Sequence, residues 1–461
     1  MYMLKSSNKA QNYLMKKQSL LCLSIAFAFQ ASAQTNPVIT SWLRNTTNIL
    51  GRHYVSGNST AIQDAVPANV QAVQYSATSV YISTTGIPAY VTGPFLDGNP
   101  SLASNQNAIF KIPLNPTQNT GNPTPTTGGN IGIFINGVAL FDYRDGVSWN
   151  NVQQKLCGGP IQPPCMGDGL WNRDAVVAER VGFDCAKGHP AMGNYHHHQN
   201  PSAFKLDLNV ISTVCNLYDA DGLYVIDSTK HAPLIGFASD GFPIYGAYAY
   251  KNLDGTGGIV RMKSSYRLKT MTTRTNGPAV NSTYPLGLFK EDYEYIAPTT
   301  GQTDYLDEHN GRFCKTSEYP NGIYCYFATV DANWNSAYPY VVGPTFYGNK
   351  IATKVTTITE STTTYNPSTA SIASNLTAAD IAVFPNPSSD LIAVQLNDLT
   401  KTEVVLSLYN IQGKLMDVKT IYPGTTIAYF DTKTYYAGIY ILKITQADKT
   451  CLLYTSDAAD E

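Results

Sequence analysis

Alternating apolar and polar positions dominate the first part of this chain and predict β-strands. The segment Val70–Ile82 (VQAVQYSATSVYI) alternates in this way, and residues 320–330 (PNGIYCYFATV) form a further strand-like run. Successive side chains of a strand lie on opposite faces of a sheet, so both patterns are typical of strands. The predicted fold class is therefore mainly β.

Turn residues divide the strands. Asn136-Gly137 separates two apolar runs, Ile131–Ile135 and Val138–Tyr143, and supplies the positive φ angles of a type I′ turn, which predicts a hairpin. Asp174–Val181 is the best candidate for a short helix. Residues 351–380 are rich in Ser and Thr without periodicity and are predicted to be a linker. Short strands and turns in residues 381–450 predict a small Ig-like β-sandwich.

Composition changes this picture by indicating an exported protein. Charged residues make up 14% of the chain, and there are 32 tyrosines. Globular proteins usually contain about 25% charged residues. The formal net charge of −2 argues against nucleic acid or an anionic membrane as a partner.

The first 33 residues have the pattern of a signal peptide. Lys16-Lys17 precede the apolar run Leu20–Phe29, and Ala31-Ser32-Ala33 provides a small-residue cleavage site. Met15 is the predicted true start. The apolar run is too short to cross a membrane as a helix, so no membrane span is expected.

Six cysteines remain outside the signal peptide and the end of the chain, and an even number in an exported protein predicts disulfides. No C-x-x-C pair occurs among them, so a zinc ribbon is not indicated. Sequence alone leaves all pairings open, and pairing of nearest neighbours is our working hypothesis. The six residues are Cys157, Cys165, Cys185, Cys215, Cys314 and Cys325.

Candidate chemistry is concentrated in Cys185–Pro201 (CAKGHPAMGNYHHHQNP), which holds four of the seven histidines. If Asn194–Gln199 is an extended strand, His196 and His198 lie on one face and His197 lies on the other. We expect His197 to have a structural role. A metal site formed by His189, His196 and His198 is the sharper hypothesis, with Zn or Cu as the ion and Ca less favoured. A hydrogen-bonded polar cluster remains the alternative.

Other blocks of the sequence contain further candidate ligands. An Asx-turn at Asp240 and an ion pair of Arg312 with an acidic neighbour are the simpler interpretations of two of these blocks. No G-x-S-x-G or H-E-x-x-H motif is present, so serine-hydrolase and zincin chemistry have no support. The further candidates are His231, Asp240, Asp307 and His309.

The histidine segment also carries a family resemblance. CAKGHP, YHHH and QNP resemble the signature of the YHYH-domain family, although His197 replaces the second tyrosine of that signature. The resemblance covers about residues 131–350 and implies a large β-rich domain, with residues 34–130 as its N-terminal part, but no established reaction. The other matching blocks are Leu234–Tyr248 (LIGFASDGFPIYGAY), Leu306–Phe313 (LDEHNGRF), Glu318–Thr329 (EYPNGIYCYFAT) and Ala337–Pro344 (AYPYVVGP).

A second resemblance concerns the C-terminal part. Phe384–Pro387, Leu408–Leu415 and Ala437–Ile444 resemble the sorting domain of proteins exported by the type IX secretion system of Bacteroidetes. This implies the secretion machinery as a partner and a cell-surface or extracellular location. Residues 451–461 (CLLYTSDAADE) resemble translated adapter sequence from a sequencing library, and we expect them not to continue the sandwich.

Three functions follow as expectations. Binding of a divalent transition metal at the cell surface is the first. A surface-binding module for glycans or proteins with a structural histidine cluster is the second, and a metal-dependent enzyme is the third. A fourth coordination position left open for water would separate the enzyme from a metal-binding protein.

Overall fold

The computed structural model describes residues 34–58, 60–96, 101–159, 165–202, 222–351, 354–366, 381–397, 400, 402–446 and 449–455. The protein is mainly β, as predicted, with helices α1 (Pro37–Thr40) and α2 (Ala175–Ala178). In this described part no helix has the length and apolar character needed to cross a membrane. The predicted signal peptide, Cys215 and residues 456–461 lie outside the described residues.

The strands are distributed along the whole described chain. Up to residue 150 they are β1 (Leu50–His53), β2 (Ile62–Pro67), β3 (Val70–Tyr75), β4 (Ser79–Thr84), β5 (Ala108–Pro113), β6 (Thr124–Pro125), β7 (Asn130–Phe134), β8 (Ala139–Phe141) and β9 (Arg144–Asn150). Up to residue 350 they are β10 (Lys155–Gly158), β11 (Asn172–Asp174), β12 (His189–Ala191), β13 (Asn194–His197), β14 (Leu234–Ala238), β15 (Pro243–Tyr245), β16 (Tyr248–Tyr250), β17 (Ile259–Arg261), β18 (Tyr266–Leu268), β19 (Tyr293–Tyr295), β20 (Gly311–Cys314), β21 (Ile323–Phe327) and β22 (Thr345–Phe346). The remaining strands are β23 (Lys354–Val355), β24 (Thr363–Thr364), β25 (Ile381–Phe384), β26 (Leu391–Leu396), β27 (Val404–Asn410), β28 (Leu415–Ile421), β29 (Ile427–Asp431), β30 (Tyr440–Gln446) and β31 (Lys449–Thr455).

An eight-stranded mixed sheet forms the centre, in the order β12-β13-β8-β7-β14-β15-β21-β20. Its middle strands are buried on both faces, which explains why they are continuously apolar rather than alternating. The strands β12 and β13 lie at one edge of this sheet. The fold therefore presents the histidine segment as an edge hairpin.

The hairpin predicted around Asn136-Gly137 is present as β7 and β8, but its predicted turn type is wrong. Gly137 has a φ of 85°, whereas Asn136 does not have a positive φ. The amide of Gly137 donates to the carbonyl of Phe134 at 2.8 Å. This is a type I turn followed by a left-handed glycine, an alternative hairpin connection. A Cβ on Gly137 would also collide with Thr84.

A five-stranded antiparallel sheet, β23-β5-β4-β3-β24, packs within the same core. Its two outer strands come from the stretch that the sequence predicts to be a linker. Lys354 pairs with Phe110, and Thr363 pairs with Tyr75. The described part of residues 351–380 therefore extends along the central domain.

The C-terminal part is a sandwich of a three-stranded and a four-stranded sheet, β25-β26-β29 and β28-β27-β30-β31. Apolar side chains of both sheets share one core, including Val394 and Leu406. The expectation that residues beyond 450 leave the sandwich is wrong for residues 451–455, because Cys451 of β31 pairs with Ile444 of β30. An edge strand pairs through backbone hydrogen bonds, which form without an alternating pattern of apolar side chains.

Candidate metal centre

The turn between β12 and β13 brings His189 opposite His196. The two turn residues, Met192 and Gly193, have φ angles of 49° and 82°, as a type I′ turn requires. His189 pairs with His196 in the antiparallel register. Directly opposite residues place their side chains on the same face. His198, two residues further on, joins this face.

Three imidazole nitrogens converge on this face. His196 Nε2 lies 3.0 Å from His198 Nε2, and His189 Nε2 lies 3.4 Å from His198 Nε2. The candidate ligand atoms of all three residues lie within 4.8 Å of one another, and all three residues are buried. The three histidines predicted from sequence are therefore brought together.

Glu179 completes the cluster and was not predicted from the sequence. Its Oε2 lies 3.3 Å from His189 Nε2 and 3.3 Å from His198 Nε2. It is the residue that caps the C-terminus of α2, a helix whose N-cap is Asp174. The available signal was weak, namely a carboxylate in the predicted helix Asp174–Val181, ten residues before His189 in the chain.

Backbone carbonyls fix which nitrogen of two rings carries the proton. His196 Nδ1 lies 2.8 Å from the carbonyl oxygen of Asn194, and His198 Nδ1 lies 2.6 Å from that of Asp142. A carbonyl oxygen only accepts hydrogen bonds, so each Nδ1 is the donor. In the neutral rings both Nε2 atoms therefore direct lone pairs into the cluster.

Burial and neighbouring charges keep the cluster in a form that can bind a cation. The pKa of His196 lies well below its ordinary value, because burial and the nearby His198 and His189 disfavour the imidazolium. Burial acts to raise the pKa of the Glu179 carboxyl, but when His189 and His198 carry a proton on Nε2 their contacts with the carboxylate outweigh this and hold the pKa well below its usual range. Neutral imidazole and ionised carboxylate are the forms that metals require.

Aromatic rings surround the histidines and limit their contact with water. Phe141 stacks on His196 with a ring separation of 4.0 Å. Phe183 meets His189 edge-on at 4.9 Å. Such a hydrophobic shell around a polar cluster lowers the local dielectric and holds the side chains in place.

His197 lies on the opposite face, as expected from the period of a strand. Its Nε2 is 2.7 Å from the hydroxyl of Tyr90, and its ring meets Phe134 edge-on. Burial lowers the pKa of His197 to about 3, so the ring is neutral at physiological pH. The residue is part of the core behind the hairpin.

The four further candidates lie outside the cluster. Asp240 accepts from the Tyr326 hydroxyl at 2.7 Å and from the Gly348 amide at 2.8 Å. Asp307 accepts from the amides of His309 and Gly311 and from the Tyr324 hydroxyl. The remaining two are held by local hydrogen bonds, His309 Nδ1 to Thr345 and His231 Nδ1 to the carbonyl of Ala232.

The cysteines divide into bonded and free residues. Cys157 and Cys165 form a disulfide, as expected, and Cys185 is also disulfide-bonded. The expected Cys314–Cys325 bridge is absent, and both thiols are free and buried. Cys314 pairs with Ile323, two residues from Cys325, so the two cysteines are diagonal neighbours. At these positions the two thiols interact by a hydrogen bond and are not covalently linked.

This arrangement predicts two protected thiols. Alkylation of the native, non-reduced protein should leave Cys314 and Cys325 unmodified, because their exposed fractions are 1% and 0%. Alkylation after unfolding without reductant should modify both, as measured by peptide mass spectrometry. Cys157 should stay unmodified in both conditions and serves as the control. Recovery of a peptide in which Cys314 and Cys325 are linked would contradict the free-thiol state.

The fold and the site define a class of protein, a β-sheet domain with a buried three-histidine, one-carboxylate cluster that is followed by a β-sandwich. The family model described as YHYH protein matches residues 109–339, half of the chain, and the chain belongs to this family. A second model, the secretion system C-terminal sorting domain, matches residues 382–452. This domain marks proteins exported to the cell surface or the extracellular space by type IX secretion. No curated protein matches the chain.

Proposed function

We propose that this exported protein binds one divalent transition-metal ion through His189, His196, His198 and Glu179. The observation that carries the proposal is the 3.0 Å separation of two Nε2 atoms whose partner Nδ1 atoms both donate to backbone carbonyls. Two lone pairs that face each other at this distance repel, and a cation between them removes the repulsion. Without a metal ion, a proton between the two nitrogens would be needed instead, with the Glu179 carboxylate as its counter-ion.

The separations of the ligand atoms support a tetrahedral site. Ligands bound at about 2.0–2.1 Å around a tetrahedral ion are about 3.3 Å apart. The separations among the four donors include 3.0, 3.3, 3.3 and 3.4 Å. Four of the six separations among the donors are therefore close to those of a tetrahedral ion.

The donor set favours zinc or copper. Imidazole nitrogen suits Zn and Cu, whereas Ca takes six to eight ligands that are mostly oxygen. The carbonyls of Asn194 and Asp142, which accept from the ligating rings, are the kind of outer partner that orients metal-binding histidines.

Four protein donors favour metal binding over metal-dependent catalysis. Catalytic zinc sites usually have three protein ligands and keep the fourth position for water or substrate. We assign this fourth position to the Glu179 carboxylate, which lies 3.3 Å from two of the imidazole nitrogens. We therefore propose sequestration of the ion or stabilisation of the fold as the role of the site at the cell surface.

Metal titration of the purified mature protein tests the proposal. Elemental analysis should find one Zn or Cu per chain, and the chelated protein should take up one equivalent of Zn²⁺ or Cu²⁺ in calorimetry. Ca²⁺ is the control and should give no binding. Absence of uptake of either transition metal would leave the histidines as a structural polar cluster.

The metal affinity should also depend on pH, which a repeat of the titration at lower pH measures. Protons compete with the ion for Nε2, so the affinity should fall on acidification. Because the pKa of His196 lies well below 6.5, its neutral form persists to lower pH than that of an exposed histidine. Protonation of His196 should therefore begin to weaken metal binding only below pH 6.5. An affinity that does not fall at any acidic pH at which the protein stays folded would exclude histidine ligands.

A further inference from the structure

A cavity of about 580 Å³ lies beside the candidate metal centre. Val176, Arg180 and Phe183 line it, and they belong to the segment that also carries Glu179. None of the four proposed metal ligands lines this cavity. Ligand pockets for small molecules commonly have volumes of about 300–1,000 Å³. The cavity is therefore large enough for a ligand of its own.

The lining of this cavity is rich in positive charge. Among the described residues Asp331 is its only lining acid, and the carboxylate of Asp331 accepts from the backbone amides of Asn333 and Asn335 within its own loop. The chain as a whole has a net charge of −2, so the excess of cations here is local. The lining cations are Arg180, Lys187, Arg261, Lys263 and Arg267.

One of these cations, Arg261, has a neutral partner in the structure. Arg261 donates to the carbonyl of Val330 at 2.6 Å. Lys263, by contrast, is paired with Asp304 at 2.6 Å. A half-buried cation whose partner is neutral favours an anionic ligand.

Aromatic rings and hydroxyl groups form the rest of the wall. Tyr293 and Tyr338 stack at 4.2 Å with nearly parallel rings, and Tyr305 lies beside Lys263. Ser264, Ser336 and Gln199 add polar groups that donate and accept. Tyrosine rings offer an apolar face and a polar hydroxyl together. This combination suits a ligand that has C–H faces and many hydroxyl groups.

We infer that this cavity binds an acidic saccharide of one or two rings. The carboxylate or sulfate of the sugar is held by the guanidinium groups of Arg180 and Arg267, whose planar donors match either anion in a bidentate manner. The hydroxyl groups of the sugar meet the serine, glutamine and tyrosine side chains of the wall. None of the proposed metal ligands lines the cavity, so the inference does not rest on the metal site.

Calorimetric titration with four probes tests the inference. We expect a glucuronate-containing disaccharide or a sulfated disaccharide to bind at least about tenfold more tightly than the neutral disaccharide. A difference of this size corresponds to one charge-assisted hydrogen bond. Which of the two binds distinguishes carboxylate from sulfate. Inorganic sulfate alone should bind more weakly than the preferred acidic sugar, and binding should weaken at high salt.

Matched variants locate the binding. Arg267→Gln should weaken acidic-sugar binding about tenfold, and Arg267→Lys should restore part of it, because lysine keeps the charge but loses the planar fork. Both changes are at an exposed position, so folding should be retained. Lys414→Gln removes an exposed cation from the distant sandwich and should have no effect.

Three results would overturn the inference. These are equal binding of acidic and neutral sugars, unchanged binding by Arg267→Gln, and loss of sugar binding when metal is removed with a chelator. The last result would mean that the acidic group of the sugar binds the metal ion and not the cavity. Because the chelated protein is tested separately, failure of this inference is distinguishable from failure of the metal site.

Discussion

Replacement of both His196 and His198 by alanine should abolish stoichiometric metal binding. The two changes remove half of the proposed donors, including the pair of nitrogens that face each other at 3.0 Å. Loss of an outer partner of a metal ligand already weakens affinity about 10–100-fold, so loss of two ligands should exceed that range. Calorimetric titration with Zn²⁺ and Cu²⁺ measures the effect. The metal-dependent increase in melting temperature should disappear in parallel.

Two single changes provide the matched comparison. His197→Ala alters a neighbouring histidine on the opposite face and should keep the metal stoichiometry, although it leaves the Tyr90 hydroxyl without its partner and lowers stability. Glu179→Gln keeps the shape but removes the charge, and should weaken the affinity without abolishing binding. Equal loss of metal from the His197 and the double variant would refute the assignment of ligands.

Deletion of residues 382–452 should prevent the protein from reaching the cell surface. This segment matches the sorting domain that directs export. The protein without it should therefore accumulate in the periplasm. Cell fractionation followed by immunodetection measures the distribution. A reporter fused to residues 382–452 is the complementary control and should be exported. Surface display of the deleted form would contradict the role of the domain.

The same deletion should lower the stability of the remaining chain moderately. Val225 packs in one apolar cluster with Ile427 and Tyr429 of the sandwich, and Asn69 Nδ2 donates to the carbonyl of Pro423 at 3.1 Å. Removing the sandwich exposes Val225 and removes this hydrogen-bond partner. The central core, which is built from other residues, should still form.

Local periodicity accounts for the part of the metal centre that the sequence predicts. The shared face of His196 and His198 follows from the alternation of a strand, and the contribution of His189 follows from the tight turn at Met192 and Gly193. Glu179 comes from a separate helix. Its approach depends on how α2 packs against the hairpin, and no pattern in the chain encodes that distance.

Non-local detail also explains why two candidate ligands lie outside the cluster and why one expected disulfide is absent. Asp240 and Asp307 have the chemistry of ligands, but tyrosine hydroxyls and backbone amides occupy their oxygens. Cys314 and Cys325 lie on neighbouring strands, and only the register determines that they are diagonal rather than opposite. The two-residue strands β23 and β24 are too short to produce any periodic signal.

The position of the histidine hairpin at the edge of the eight-stranded sheet has a consequence for chain entropy. An ion that joins Glu179 to the three histidines would act as a cross-link between α2 and the outermost strands, closing loops in the unfolded chain much as a disulfide does. Export delivers a chain to an environment without cytoplasmic chaperones, where an unprotected sheet edge can pair with other molecules. Metal uptake after export would then stabilise the edge strands in their folded position.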